Sequence, residues 1–357
     1  MTQTPAASGH SSSNVTAQDE VVGLCSDLIR INTSNRGDNQ GPGERQAAEY
    51  VAGLLAEVGL EPTILESDKS RASVITRITG EDQTRPALLI HGHLDVVPAD
   101  AADWQVDPFS GHIGDASTKS TTGAKSTGTS STGQDDPCVW GRGAVDMKDM
   151  DAMILAVVRQ RLREGRRPPR DVVLAFLADE EAGGSYGARF LVDNHPGLFE
   201  GVTEAVGEVG GFSVTLGGQR LYLVQTAEKG MAWLRLTARG TAGHGSMLQP
   251  DNAVTELAET VARIGRHDWP VRLTPAVEAF LAEACTALGL EYGPEAYRQV
   301  IDKIGSLSRL TGATLRNTLN PTVLEAGYKV NVVPQVATAD VDGRFLPGHE
   351  DEFFAEV

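Results

Sequence analysis

The chain has 357 residues, 40% of them hydrophobic, and 31 basic against 48 acidic side chains give it a formal net charge of -17. That length accommodates two domains with cores of their own, and the acidity argues against nucleic-acid phosphates or an anionic membrane surface as the main partner. The opening stretch MTQTPAASGHSSSNVTAQDE has neither a basic nor an apolar block, and no later run nears the roughly 18 apolar residues of a membrane span, so the expected compartment is the cytoplasm.

Residues 1–17 read as a disordered polar tail, with Thr16 as the N-cap of a helix whose apolar positions Val21, Leu24, Cys25, Leu28 and Ile29 keep helical spacing. A second helix carries Ala47, Val51, Leu54, Leu55 and Val58 on one face. Strand-like runs follow at 72–78 (ASVITRI) and 87–91 (ALLIH), then a helix near 149–164, the apolar strand DVVLAFLA and a helix after Gly184. Helices alternating with continuous apolar strands predict an α/β domain, over 18–227, with a largely parallel sheet.

Inside it, ASTKSTTGAKSTGTSSTGQDD (116–136) has no large apolar side chain to pack and is expected to be a disordered insertion. Its flanks FSGHIGD and PCVWGRGA read as the strands of a hairpin with an enlarged turn. From residue 228 the pattern changes: MAWLRLTARG is strand-like, DNAVTELAETVARI helical, and TVLEAGYKV and VATADVDGRFL strand-like again, which predicts a small α+β domain over 228–357. Residues 268–315 hold helical stretches that periodicity alone does not place. Cys25, Cys138 and Cys285 lack C-x-x-C spacing and indicate neither a disulfide framework nor a thiolate metal site.

Polar clusters stand at two strand ends, where ligands of such sheets gather: HGHLD after ALLI, and ADEE after VVLAFL. The acids Asp179, Glu180 and Glu181 suit the first turn of a helix, or else a cation that offsets their mutual repulsion. His93 and Asp95 share a face of an extended segment, and a carboxylate often orients a metal-binding histidine through its second ring nitrogen. Asp146 in GRGAVDMKD is a helix cap or a site acid, and Glu208 in AVGEVGG a loop acid or another ligand. His10, His112, His195, His267 and His349 match no ligand pattern, and His91 reads as a packed strand residue. A nucleotide-binding reading fails for want of a glycine-rich phosphate loop after a strand.

Taken together, HGHLDVVP, GRGAVDMKD, ADEEAGG and GEVGG, followed by GTAGHGS and NVVP…DGRFLPG, stand in the order and context of one family. From about residue 18 onward the chain resembles the zinc aminoacylase and carboxypeptidase family that includes acetylornithine deacetylase, succinyl-diaminopimelate desuccinylase and glutamate carboxypeptidase. The resemblance implies a zinc-exopeptidase-like α/β catalytic domain with a mostly parallel central sheet, and an inserted α+β, ferredoxin-like lid that forms a homodimer. It implies a pair of zinc or cobalt ions, with His93 and Glu208 on one, Glu181 on the other and Asp146 bridging them. Glu180 would be the general base, Asp95 the carboxylate behind His93, and His244 an oxyanion donor reaching in from the partner subunit. Arg344 and Asn331 resemble positions that bind the substrate's carboxylate. The implied reaction is hydrolysis of an amide bond in small peptides or N-acyl amino acids. Alternatives are a biosynthetic deacylase of the acetylornithine or succinyl-diaminopimelate type, or a non-catalytic remnant that binds one metal.

One departure matters. In the family the chain returns after the inserted domain to complete the sheet and to supply a last histidine to the second metal. Here it stops at PGHEDEFFAEV. Both domains are therefore expected to be incomplete at the C-terminus, as in a truncated product or partial sequence of low solubility or activity, with the second site lacking its closing histidine.

Overall fold

The computed structural model describes residues 15–115, 137–209, 213–293, 295–304 and 308–357. The expected disordered tail, apart from its last three residues, and the insertion at 116–136 lie outside the described residues. Two compact units make up the chain, Met1–Glu208 and Val209–Val357.

In the first unit, helix α1 (Ala17–Arg30) opens on a reciprocal cap: the Thr16 hydroxyl accepts the Asp19 N–H at 3.3 Å and the Asp19 carboxylate accepts the Thr16 N–H at 2.9 Å. Its buried stripe of Leu24, Cys25, Leu28 and Ile29 packs with α2 (Arg45–Ala56), which contributes Ala47, Val51 and Leu55. Strands β1 (Thr63–Asp68) and β2 (Arg71–Ile78) form a hairpin closed by Lys69 and Ser70, where Ser70 takes a φ of 65°. Strand β3 (Ala87–His93) follows. The hairpin β4 (His112–Asp115) and β5 (Pro137–Trp140) pairs His112 with Trp140 and Asp115 with Pro137, so the flanks of the insertion do pair. Helix α3 (Lys148–Arg163), β6 (Val172–Leu177), α4 (Ala188–Asn194) and β7 (Val202–Val206) complete the unit.

The central sheet has the order β1-β2-β6-β3-β7. Strand β3 runs parallel to β6 and β7, joined through the crossover helices α3 and α4, whereas β2 is antiparallel to both β1 and β6. The sheet is thus mixed: the parallel pairing expected from the sequence holds for the β6-β3-β7 half, and a tight turn that can connect only antiparallel strands builds the other half. Leu28, Leu55, Val74, Leu94, Leu155, Leu174 and Phe176 belong to one buried cluster between the helices and this sheet.

The register positions the site. His93 closes β3 beside Leu177, the last residue of β6, and Ile90 pairs with Val206, the last residue of β7. The segments bearing Asp95, Asp179 to Glu181 and Glu208 therefore leave the sheet at the same edge, the carboxyl ends of three parallel strands.

In the second unit, the hairpin β8 (Ser213–Leu216) and β9 (Gln219–Tyr222) precedes β10 (Gly230–Arg239) and the short β11 (Gly243–His244). Asn252 caps α5 (Ala253–Arg266) by accepting the Val254 N–H at 2.9 Å. The unplaced segment resolves into α6 (Pro275–Leu288), α7 (Ala296–Lys303) and α8 (Ser308–Thr314). Val277, Leu281, Cys285, Val300 and Leu315 share a buried cluster with Leu216 there. Strands β12 (Thr318–Ala326), β13 (Val332–Val333) and β14 (Val336–Phe345) and helix α9 (Glu350–Glu356) close the chain.

An antiparallel sheet of order β10-β14-β12 carries α5 against Ala337 and Ala339, while Phe353 of α9 stacks on Trp269 with centroids 5.3 Å apart. Strand β12 starts before the expected TVLEAGYKV and ends at Ala326. Pro321, which has no N–H to donate, sits at a bulge on this edge strand, and Gly327 turns the chain out with a φ of 68°. Among the described residues no helix is long and apolar enough to cross a membrane.

Candidate functional site

His93 is 2% exposed at the end of β3. Its Nδ1 lies 2.9 Å from the Asp95 backbone carbonyl, an acceptor, so Nδ1 carries a proton and Nε2 points the other way. Nε2 is buried and makes no hydrogen bond among the described residues. It faces carboxylates instead: Asp146 Oδ1 at 3.2 Å, Glu180 Oε2 at 3.7 Å and Glu208 Oε2 at 3.8 Å. Ligand atoms of His93, Asp146 and Glu181 all lie within 4.8 Å of one another. A buried imidazole nitrogen without a hydrogen bond, set among carboxylate oxygens, is a donor set that fits a divalent cation.

The charges agree. Burial pushes the His93 imidazolium toward losing its proton, but Asp146, Asp95 and Glu180 outweigh it and raise the pKa to about 11. Burial, then the nearby Asp146 carboxylate, pushes Glu181 up to about 7, and the same two causes raise Glu208. Asp146, close to His93, is held below the usual range.

Asp95 organises the strand ends. It is fully buried, and its carboxylate accepts the Glu180 N–H on Oδ1 at 3.0 Å, the Glu181 N–H on Oδ2 at 3.1 Å and an Asn35 amide N–H on Oδ2 at 2.9 Å. Burial alone would raise its pKa, yet the nearby His93 ring, whose Nδ1 lies 3.5 Å from Oδ1, and the bond from Asn35 hold it below the usual value. Asp179 takes the left-handed conformation, with a φ of 64°, at the start of the single turn Glu180–Ala182. Its carboxylate accepts the Tyr186 N–H at 2.9 Å and the Asn35 amide at 3.0 Å. Glu181 Oε1 accepts the Val97 N–H at 3.2 Å.

Asp146 ends the turn GRGAVD ahead of α3, where Met147 is buried and its sulfur accepts the His93 N–H at 3.1 Å. Next to it, Lys148 is fully buried and donates to the Leu28 carbonyl at 2.9 Å and the Ile31 carbonyl at 2.7 Å, capping the C-terminus of α1. That ties the Asp146 turn to the core. Glu208 follows Gly207, where any β-carbon would collide with the His91 ring. His91 thus packs as expected of a strand residue.

The second unit holds the other predicted residues. His244 on β11 pairs with Val332 on β13, its ring Nδ1 lies 2.8 Å from the Ser246 hydroxyl, and the Asn331 carbonyl accepts the Gly245 N–H at 2.9 Å. His244 and Asn331 are therefore neighbours. Arg344 lies on β14 and donates from Nε to Asp342 at 2.8 Å.

Sequence reasoning passed over Asn35, Arg71 and Lys148 and left Asp179 without a role. All four are buried polar residues with long-range partners, and for Asn35 the local signal was the polar NTSN stretch directly after an apolar helix.

The pattern of peptidase family M20/M25/M40 matches residues 89–301. The chain is 27% identical over 317 residues to the N-fatty-acyl-amino acid synthase/hydrolase PM20D1 of Xenopus tropicalis, covering 85% of this chain and 57% of that protein. It is 29% identical over 294 residues to a probable carboxypeptidase S-like 2 of Dictyostelium discoideum, covering 77% and 51%. The chain thus spans little more than half the length of these relatives. Its fold is shared with the M20 family metallo-carboxypeptidase Sso-CP2 from Sulfolobus solfataricus, with a TM-score of 0.62 at 19% identity over 95% of this chain and 74% of that one. The family match covers more than half of the chain and contains His93, Asp146, Glu180, Glu181 and Glu208. The chain belongs to peptidase family M20/M25/M40.

Proposed function

We propose that the chain carries the apparatus of a metal-dependent hydrolase that cleaves an amide bond in small peptides or N-acyl amino acids. The observation that carries this reading is the buried Nε2 of His93, without a hydrogen bond and turned toward Asp146, Glu180 and Glu208. His93 and Glu208 would hold one ion and Glu181 the other, with Asp146 shared between them, and zinc or cobalt suits this mixture of imidazole and carboxylate. Such ions, when bound, polarise the scissile carbonyl and make water acidic enough to ionise near neutral pH.

The side chains do the rest. Glu180 takes a proton from the attacking water and returns it to the leaving amine, a role open to it because its neighbour Glu181 is the ligand. Asp95 fixes both by gripping their backbone N–H groups at 3.0 and 3.1 Å, and its own carbonyl sets the His93 ring. His244 donates to the developing oxyanion, from the partner in a homodimer formed through the second domain. Arg344 and Asn331 receive the substrate's carboxylate, for which a guanidinium fork is well shaped. The catalytic apparatus lies in the first unit, which ends at Glu208 and not at the expected 227, and the second unit, Val209–Val357, would be the lid. The relatives' names, an N-fatty-acyl-amino acid hydrolase and a carboxypeptidase, support an amide adjoining a carboxylate-bearing residue.

The test is hydrolysis of a panel of dipeptides and N-acyl amino acids by the full chain, followed by amine release. Turnover that chelator abolishes and zinc or cobalt restores is the expected result. Turnover indifferent to chelator, or none by a metal-loaded protein across the panel, would sink the reading.

A further inference from the structure

We infer that Asn35 is a positioning residue of the metal site, setting the gap between the His93 and Glu181 strand ends by bridging the two buried carboxylates behind them. The inference rests on the hydrolase reading and assigns a role to a residue outside the proposed ligand set. Asn35 is 4% exposed, and its side chain makes the four hydrogen bonds an amide can make. Nδ2 donates to Asp95 Oδ2 at 2.9 Å and to Asp179 Oδ1 at 3.0 Å. Oδ1 accepts from Arg71 Nη2 at 2.8 Å and from the Gly37 N–H at 3.0 Å. These partners fix which way the amide faces: a cation and an N–H lie on one side and two carboxylates on the other.

The bridge is anchored at both ends. The Asn35 N–H donates to the Val96 carbonyl at 2.9 Å, and the Thr33 hydroxyl donates to the Leu94 carbonyl at 2.7 Å, which lashes this segment alongside 94–96. Arg71 is held by a buried ion pair with Glu44 and donates from Nε to Asn39 at 2.8 Å. Asp95 and Asp179 are 0% and 3% exposed, and like charges so enclosed drive each other apart unless a donor stands between them. Asp95 grips the N–H groups of both Glu180 and Glu181, and Asp179 opens the turn that carries them. A change at Asn35 therefore reaches the ligand spacing without touching a ligand.

Donor polarity and mere packing predict opposite rankings of two variants. Asn35→Asp keeps the shape but turns an acceptor toward two carboxylates, whereas Asn35→Ala leaves room for water to donate in place of the amide. The readout is cobalt affinity of the full chain, from the visible absorbance of bound Co2+ against a competing chelator, with circular dichroism to confirm folding. Removal of such a supporting partner weakens metal binding by about 10- to 100-fold. We expect Asn35→Ala near the lower figure and Asn35→Asp near or beyond the upper.

Folded variants that bind cobalt as the unaltered chain does, or an Asp variant that binds more tightly than the Ala variant, would overturn the inference. Should Asn35→Asp not fold, Asn35→Ala decides alone: a loss of about tenfold supports positioning, and unchanged affinity overturns it. If the unaltered chain binds no cobalt, the metal-site reading itself falls, an outcome distinct from variants that merely match it.

Discussion

Replacing Asp95 with asparagine exchanges one carboxylate oxygen for an NH2 group inside the turn that carries Glu180 and Glu181. Three donors converge on that carboxylate: Glu180 N–H on Oδ1, and Glu181 N–H with the Asn35 amide on Oδ2, at 3.0, 3.1 and 2.9 Å. An amide has one oxygen, so its cheaper orientation keeps the two bonds on the Oδ2 side and turns NH2 toward the Glu180 N–H. The loss is one bond to a charged acceptor, about 1.5 to 3 kcal/mol, and a stranded N–H, about 1 to 3 kcal/mol. Relief from burying a charge returns part of it, leaving roughly 2 to 4 kcal/mol.

Because the chain comprises two units, a single unfolding curve would blend them. Amide hydrogen exchange reads the loss where it falls. Protection at Glu180 should drop by about 30- to 1000-fold, at tenfold per 1.4 kcal/mol, with a smaller drop at Glu181. Unchanged exchange at both amides would refute the claim that Asp95 holds this turn.

Leu28→Ala, fully buried between α1 and its neighbours, should destabilise the first unit by about 2 to 5 kcal/mol, seen as lost exchange protection in α1 and α3 together. Burial pushes Lys148 down to about 8 from 10.5. The unfolded chain therefore keeps that proton longer, and stability of the first unit should rise between pH 8 and 10.5, a rise that Lys148→Met removes in urea unfolding at stepped pH. The same slope in both proteins would contradict a buried charged lysine. With His93 raised to about 11 and Glu181 to about 7, metal binding at pH 7 must expel protons, and affinity must fall as pH falls. Calorimetry in buffers of different ionisation enthalpy should find more than one proton released per chain on metal loading, and none would speak against His93 as a ligand.

Where the sequence was legible, one residue and its near neighbours decided the outcome. The Thr16 cap, the stripe from Leu24 to Ile29 and the two-sided burial of VVLAFL are local consequences of helical and strand periodicity. The clusters after β3 and β6 were visible because polar residues ended apolar strands. The antiparallel half of the sheet was not foreseen, since it depends on a turn at Lys69 and Ser70 that carries neither glycine nor asparagine. Helices α6 and α7 were hard to place because they pack on each other and on the β8–β9 hairpin around Leu216, contacts that leave little mark on local periodicity. Asn35 was silent for another reason: its partners Asp95 and Asp179 lie 60 and 144 residues away.

Assigning two neighbouring carboxylates to different tasks is the most exposed part of the account. Metal content after equilibrium dialysis, measured with turnover on Glu180→Gln and Glu181→Gln in the full chain, tests it directly. The account predicts that Glu180→Gln keeps its metal and loses turnover by at least about 100-fold, while Glu181→Gln loses metal. Metal retained at full affinity in Glu181→Gln, or turnover retained in Glu180→Gln, would contradict it.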